Sequence, residues 1–588
     1  MDGERARNAA RPLGRFSSLP AAIALPAAFA LLRRHAIVAA VLALYALTAL
    51  VVPTRAPVAV GDDWVYARSV EILIQEHRIE IFDLSVVTLL FQVFWGALFA
   101  MFFGTSFWVL RLSTLVIVFL SAIAFYALCR ELDISRSRSA LGVAAYLFNP
   151  LTMVLSYTFM SDPHFTALLI ITSYWYVRGL RPGSAGRQAT ILGSGFAALT
   201  FLVRQQGALI PFAVLLYLVV TRRLRPRRED AGRALDVVAI PAATAVLYYL
   251  WLFFVHGVPV QQRSFVQRVV EAGWGESWLL FQRLTFIEAM YVGLFVLPVA
   301  AGVLIGGNQW LRLRSPLGWV FLVGWLILVV RGLTIFAAEG RKMPYIGQFV
   351  GVNGLGPTDL QGGRPRLIEP IVADWLTGVC AVASVVFAVA LGRWLVRTRG
   401  PDRGGAELLL MIGLWQVVGV LVPSYHFRNW IISVDRYLLP LLPIAIGLLL
   451  WAVRDARLVQ PVAWLVVAAF AVVAVAGTRD HLVFQEATWD LAREANARGI
   501  ANTKLDAGAA WDGYYLWEYS QEHGIGQQTR GGPWWTNLFG PATDSTYVVS
   551  SAPLDGYDVV EQVEYSAWLQ QEPALLYLLR KQGVPGPP

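Results

Sequence analysis

The sequence predicts a polytopic α-helical membrane protein of about 13 transmembrane helices, with amphipathic helices at the outer face and a small C-terminal α/β domain outside the membrane. Three observations carry this expectation. The 588-residue chain is 57% hydrophobic. Only 15% of its residues are charged, against roughly a quarter in a soluble protein. Apolar runs of roughly 17–22 residues recur along it, the length a helix needs to cross the hydrocarbon core. The net charge of +9 does not point to nucleic acid. Lys and Arg concentrate in short loops that share one side of the membrane, which is the positive-inside bias rather than a phosphate-backbone patch. Cys129 and Cys380 lie in apolar segments without CxxC or His spacing, so neither a disulfide framework nor a zinc site is supported.

Residues 1–35 contain Arg5, Arg7, Arg11, Arg15, Arg33 and Arg34 and read as a basic cytoplasmic tail. Pro20–Leu32 has the look of a signal-peptide core, but Arg33-Arg34 and the stronger apolar run behind them argue against cleavage. The transmembrane domain is expected over 36–477, its first span at 36–53. The first outer loop, 54–106, opens on Gly61-Asp62-Asp63-Trp64-Val65-Tyr66. Its aromatic segment 85–103 reads as an amphipathic helix lying at the interface, because a crossing there would turn Arg130, Arg136 and Arg138 outward. Spans two to seven are then expected at 107–129, 139–157, 164–177, 189–203, 208–221 and 234–255. Span eight, 284–305, and span nine lead to a long outer loop, 337–370, rich in Gly and Pro; loops of this length tend to be functional. Spans ten to thirteen follow at 371–392, 406–423, 438–453 and 461–477, which leaves the C-terminal region outside.

That region, 478–588, is a composition break with 14 acidic and 7 basic residues and no spanning run. Trp489–Gly499 reads as an amphipathic helix stopped by glycine. Ser545–Ser550 and Tyr557–Val563 read as strands. Trp511, Tyr514, Tyr515, Trp517, Trp534 and Trp535 either stack on sugar rings or form this small domain's core, and the core is the more ordinary use of aromatics.

The unusual polar residues gather at outer span ends: Asp62 and Asp63, Asp162-Pro163-His164, Arg204-Gln205-Gln206, Arg263 and Arg268, Arg331, Arg341-Lys342, and His426 to Arg436. Carboxylates and arginines on one face suit a site that handles an anionic head group and a proton. A single arginine of this kind is as well read as a snorkelling anchor; the clustering is what points to function. There is no Walker P-loop, GxSxG elbow, HExxH or dinucleotide fingerprint, so nucleotide-driven transport and zinc proteolysis lose ground.

Asp62-Asp63 with Tyr66 resembles the Asp-Glu-x-x-aromatic motif that follows the first span in C-type (GT-C) glycosyltransferases. The likeness is to the protein O-mannosyltransferase-like and aminoarabinose-transferase-like branches. It continues through the Phe91–Gly104 interfacial helix, Arg111-Leu112, Arg130, Ser161-Asp162-Pro163, Arg204 and Asp435-Arg436-Tyr437-Leu438-Leu439-Pro440. In layout it covers about residues 1–455. The resemblance implies transfer of a sugar from a polyprenyl-phosphate-linked donor to an envelope acceptor at the outer face of the cytoplasmic membrane, with inversion at the anomeric carbon. It implies Asp62 as general base, Asp63 in the family's usual Glu position, and Asp162 orienting acceptor or base. Arg204 and Arg436 would hold the donor phosphate, with Arg263 and Arg331 as further candidates, and Tyr66, His164 and Gln205 would contact acceptor or sugar. Asp63 is shorter than the Glu it replaces, which leaves the division of roles within the pair open. No metal ligand set and no certain cofactor is evident, although some branches bind divalent ions through acidic pairs. Membrane lipid is the surrounding partner. The competing readings are a transporter or flippase of lipid-linked glycan, which calls for charged residues near mid-span, and a non-catalytic glycan-assembly partner.

Overall fold

The computed structural model describes residues 34–181, 186–225, 228–271, 273–307, 313, 316–394, 404–424, 434–528, 531–570 and 573–585. The expected helical architecture is present. The helices are α1 (Ala36–Val51), α2 (Asp63–Glu76), α3 (Leu90–Phe103), α4 (Phe107–Glu131), α5 (Arg136–Leu147), α6 (Pro150–Ser156), α7 (Ser161–Leu180), α8 (Gly186–Phe201) and α9 (Leu209–Val220). They continue as α10 (Arg228–Trp251), α11 (Val260–Glu271), α12 (Trp274–Ile305), α13 (Pro316–Ala338), α14 (Pro370–Trp394), α15 (Gly404–Ser424), α16 (Leu441–Ala452) and α17 (Gln460–Ala497).

Among the described residues, seven helices are long and apolar enough to cross a membrane, or eight if the α5–α6 pair, bent by 61° at Asn149-Pro150, is one span. The bend has a local cause: Pro150 has no N–H to donate, and the Asn149 side chain accepts from Leu151 N to start the next helix. The expected count of thirteen is not reached by this measure, because several expected spans are short or polar. The physical reason is enclosure. α7 carries Ser161, Asp162, His164, Thr166, Thr172 and Ser173, yet all of these are buried among neighbouring helices rather than presented to lipid. The segment expected at the interface forms α3, 14 residues long, or about 21 Å at helical rise, short of the ~30 Å hydrocarbon core. Its small residues Gly96, Ala97 and Ala100 face inward, and Phe94, Met101, Phe102 and Phe103 are exposed.

Two elements differ from expectation. The stretch after Gly61, read as loop, forms α2, which begins on the aspartate pair and packs Trp64 against the C-terminal domain. The helix of the last expected span does not stop near residue 477: α17 runs 38 residues without a break into the acidic region and absorbs the helix expected at 489–499. The charged pair Arg479-Asp480, which looks like a membrane exit, lies inside that helix.

The C-terminal region carries β3 (Leu505–Asp506), α18 (Ala509–Glu522), α19 (Trp534–Leu538), β4 (Tyr547–Ser550), β5 (Tyr557–Tyr565) and β6 (Ala574–Lys581). The sheet order is β3-β4-β6-β5, with β3 and β4 parallel and the rest antiparallel. β4 is buried at all four positions, as an inner strand covered on both faces must be. Trp511, Trp517 and Trp535 are core; Trp534 and Tyr515 are partly exposed.

The Gly- and Pro-rich loop 337–370 docks on α17. Short strands β1 (Val350–Gly351) and β2 (Gly354–Leu355) form a hairpin within it. Gly356 (φ +80°) then lets the backbone pass so close to His481 that a Cβ would stand 2.2 Å from the ring. Gly356→Ala combines a left-handed backbone with a clash, each costing about 1–3 kcal/mol. The expected outcome is a lower Tm and faster proteolysis within residues 340–368, read by thermal scanning and limited digestion of the detergent-solubilised protein.

Candidate functional site

The site begins with Arg111 on α4. Its buried guanidinium donates to the carbonyls of Thr54 (2.7 Å), Ala56 (3.1 Å), Val58 (3.1 Å) and Tyr157 (2.8 Å). One side chain thereby satisfies four carbonyl groups of two loops that have no regular secondary structure to do so. Asp63 completes the brace. Its carboxylate accepts from Val60 N (2.8 Å) and from Phe159 N (3.2 Å), tying the loop before α2 to the turn before α7. Burial pushes the Asp63 carboxyl up to about 7, against the lowering effect of these N–H groups and of Arg111.

With Asp63 turned inward, Asp62 faces outward. Its side chain is 31% exposed and its Oδ2 lies 2.9 Å from Nη2 of the buried Arg436. Arg436 Nε stands 4.0 Å from Oδ2 of Asp162, whose Oδ1 accepts from Arg204 Nη1 at 2.7 Å. The two guanidiniums flank the Tyr437 ring, 4.9 Å and 5.5 Å from its centroid. Tyr66 is buried beside them: burial pushes its hydroxyl up to about 12, and it feels the charges of Arg436, Asp62, Arg204 and Asp162. Residues separated by up to 374 positions thus form one array, Arg204–Asp162–Arg436–Asp62. Within it Nε of Arg204, Nε of Arg436 and Oδ2 of Asp162 are buried without a hydrogen-bond partner. These are strong donors and an acceptor with capacity left over.

Each member stands at the start of a helical element. Asp62 precedes α2, Asp162 is in the first turn of α7, Arg204 precedes the short 3-10 turn Gln205–Ala208, and Arg436 lies in the 3-10 turn Asp435–Leu438 leading to α16. Helix starts fix the backbone at the bundle's end and present positive partial charge there.

The other sequence-derived candidates are elsewhere. His164 is buried, with Nδ1 3.0 Å from Met160 O and an edge contact to Phe159; its Nε2 has no partner. Gln205 donates to Val86 O and so ties the loop before α3. Arg263 on α11 and Arg331 on α13 are exposed and have no ion pair to the array among the described residues. Arg268 side-chain placement lies outside the described residues, as does the segment 425–433 that includes His426.

Three residues acquire a role that the sequence did not single out. Arg111 entered only as part of a motif, and Asp435 only as the neighbour of Arg436. Asp435 accepts from Phe349 N (3.0 and 2.9 Å) and Val350 N (2.7 Å), clamping the loop 337–370 beside Arg436. Asp359 of that loop feels the charges of Asp62 and Arg436; burial, then Asp62, push its carboxyl up to about 6. Only a three-dimensional contact identifies them, since each lies far in sequence from what it touches. Among the described residues, no three His, Cys, Asp or Glu side chains converge on a metal-sized position. Asp62 and Asp162 are each engaged by a guanidinium, so these residues do not fit a cation held between them.

Asp63→Asn keeps the shape and removes the charge. The folded carboxyl titrates near 7, whereas an unfolded aspartate does so near 3.9, so the folded form binds more protons between. Stability is then fullest below the unfolded value, falls as pH rises across roughly 4 to 7, and is flat above. The variant is expected to lose this slope. It is also expected to lose about 1–3 kcal/mol, because an amide cannot accept from both N–H groups. Thermal scans from pH 4 to 8 check both points.

Residues 90–255 match the family model described as dolichyl-phosphate-mannose-protein mannosyltransferase. Among curated proteins, none matches the chain. Solved structures with a similar course include ArnT from Cupriavidus metallidurans bound to undecaprenyl phosphate, at 14% identity, covering 93% of this chain and 99% of that one, with a TM-score of 0.34. The apo form of the same protein is similar at 14% identity over 71% and 77% of the two chains, TM-score 0.33. The Archaeoglobus fulgidus oligosaccharyltransferase in the apo form is similar at 13% identity over 75% of this chain and 56% of that one, TM-score 0.40. Superpositions this loose bear nothing on the site. The resemblance to GT-C superfamily membrane glycosyltransferases, read first from the acidic and basic motifs, is borne out by the family match on residues 90–255.

Proposed function

We propose that the protein transfers a sugar from a polyprenyl-phosphate-linked donor to an acceptor hydroxyl or amine at the outer face of the cytoplasmic membrane, with Asp62 as general base. The observation that carries this reading is the array itself. It sets a part-exposed carboxylate beside two buried guanidiniums that keep unused donors. The match of 90–255 to a family named for a dolichyl-phosphate sugar supports the donor class.

In this reading Arg204 and Arg436 donate to the donor phosphate. The acceptor oxygen or nitrogen attacks the anomeric carbon from the face opposite the phosphate and its proton goes to Asp62. The carbon–oxygen bond to phosphate breaks, its electron pair leaves with polyprenyl phosphate, and the guanidiniums stabilise the charge that develops. Asp162 holds Arg204 and faces Arg436, and so sets their aim. Asp63 is assigned the brace rather than the chemistry. The N-terminal tail is read as cytoplasmic and residues 478–588 as extracytoplasmic, on the side of the array.

A transport reading has one observation in its favour: Glu288, on the apolar helix α12, is buried with Oε1 unpartnered. Buried acids in spans mark proton or ion paths. Glu288→Gln is expected to leave sugar transfer intact, and a loss of flipping in vesicles without loss of transfer would favour transport.

The decisive assay follows release of polyprenyl phosphate from labelled polyprenyl-phospho-sugars, with envelope extract as acceptor. Asp62→Asn is expected to lower turnover by about 10²–10⁴-fold, and Arg436→Ala or Arg204→Ala by about 10²–10³-fold. Undiminished transfer by a folded Asp62→Asn protein overturns the assignment.

A further inference from the structure

Helix α2 begins at the residue after Asp62, so whatever fixes α2 also fixes the aim of that carboxylate. Its first turn is held on the side of the array, through Asp63 and through the Asp62–Arg436 contact. A second set of contacts holds it from elsewhere. Trp64, Arg68 and Glu71 stand at i, i+4 and i+7, one stripe of the helix, and all three meet α18 of the C-terminal domain. Each residue turns a helix by about 100°, so this stripe starts about 200° round from Asp62.

Trp64 sits over a gap left by a glycine. Its indole is buried, and a Cβ on Gly513 of α18 would stand 2.3 Å from Cζ2 and 2.5 Å from Cε2. Phe539 of the C-terminal domain meets the ring edge-on (5.5 Å, 86°), as does Phe82 of the loop after α2 (6.0 Å, 72°). One turn further on, Arg68 Nε donates to Oε1 of Glu518 at 2.9 Å and Nη2 donates to Oε2, which is the forked pairing. The remaining Nη1 reaches Oε2 of Glu71 at 2.9 Å, and the Tyr514 hydroxyl donates to Glu71 Oε1 at 3.4 Å. The support is itself fixed at its start. Ala509 N of α18 donates to Asp359 O of the loop 337–370 at 3.0 Å, and Asp512 accepts from Ala507 N at 3.1 Å.

Magnitudes separate the hold on the fold from the hold on the base. The Arg68 and Glu518 side chains are 32% and 44% exposed, and an ion pair that open adds little to stability. Alignment is far steeper, since displacing a reacting group by about 1 Å lowers a rate by as much as 10²-fold. The fork sets direction as well as distance, which a lysine at 68 would not do. Among the described residues, Arg68 and Glu518 make no ion pair with the array, so their influence on it runs through α2.

From this geometry we infer that the C-terminal domain aims the general base: Gly513 and Glu518 of α18 hold α2 through Trp64 and Arg68, which are positioning residues for Asp62. The inference rests on the transfer reading and adds to it a task for the C-terminal domain.

The test follows transfer from labelled polyprenyl-phospho-sugar by the full-length protein in nanodiscs, with envelope extract as acceptor. Arg68→Ala, Glu518→Gln and Gly513→Ala are expected to lower kcat about tenfold to a hundredfold, with the donor KM within about twofold of native. Arg68→Lys, which keeps the charge and loses the fork, should fall between Arg68→Ala and native. Tm of Arg68→Ala and Glu518→Gln is expected to stay within about 3 °C of native. Each substitution is repeated in an Asp62→Asn background, where a residue that acts through that carboxylate has no further effect. Amide hydrogen exchange across residues 62–70 gives a readout without turnover: it is expected to quicken at least about fivefold in Arg68→Ala, with 204–208 unchanged. Native kcat in Arg68→Ala and Glu518→Gln, an equal loss in both backgrounds, or exchange at the native rate overturns the inference while leaving an Asp62-dependent transfer standing. If Asp62→Asn transfers as well as native protein, or native protein transfers nothing, the transfer reading falls and takes the aiming role with it. Exchange that still depends on Arg68 then marks a mechanical contact only.

Discussion

The fan of hydrogen bonds from Arg111 is the interaction on which the rest of the site depends. The loops it gathers, 54–58 and the turn at Tyr157, carry Asp62 and Asp162 a few residues further on. A buried guanidinium costs free energy to desolvate, and it is tolerated here because carbonyl oxygens occupy its donors. Lysine has neither the fork nor the reach to serve four carbonyls in different directions. The array of alternating charges is thus set by a residue that takes no part in it.

The aspartates divide by their partners rather than by their neighbours in sequence. Asp63, Asp435 and Asp480 accept from backbone N–H groups and act as clamps, Asp480 holding Trp568 N and Leu569 N at 2.8 Å. Asp62 and Asp162 face guanidiniums instead. A clamp lowers the freedom of a loop; an arginine opposite a carboxylate can exchange that carboxylate for a phosphate. The same side chain serves rigidity in one setting and ligand exchange in the other.

Much of this was legible in the sequence, because charged residues near lipid are costly and their gathering at outer span ends is an observable bias. Asp62, Asp162, Arg204 and Arg436 stand out that way, and the structure brings the four together. The split between Asp62 and Asp63 was not legible, since the donors that capture Asp63 come from Val60 and from Phe159, nearly a hundred residues on. Arg263 and Arg331 share the bias of the other arginines yet stay exposed, as snorkelling anchors do. The reach of α17 was hidden by Arg479-Asp480: charge marks where a chain leaves lipid, not where a helix stops. β6 alternates in burial over its first four residues, but Leu575 and Tyr577 stand at the half-buried positions, so the sequence shows no apolar-polar alternation to read.

The unbroken α17 has a consequence for how this molecule can vary. A helix turns about 100° and rises 1.5 Å with each residue. A single residue gained or lost between the apolar half of α17 and Phe484 would therefore rotate the C-terminal domain by more than a quarter turn and carry residues 507–510 away from Asp359. The helix acts as a keyed shaft, so the C-terminal domain cannot be exchanged between relatives as a free cassette; grafts must preserve helical phase, and length changes survive only in whole turns or beyond Ala497.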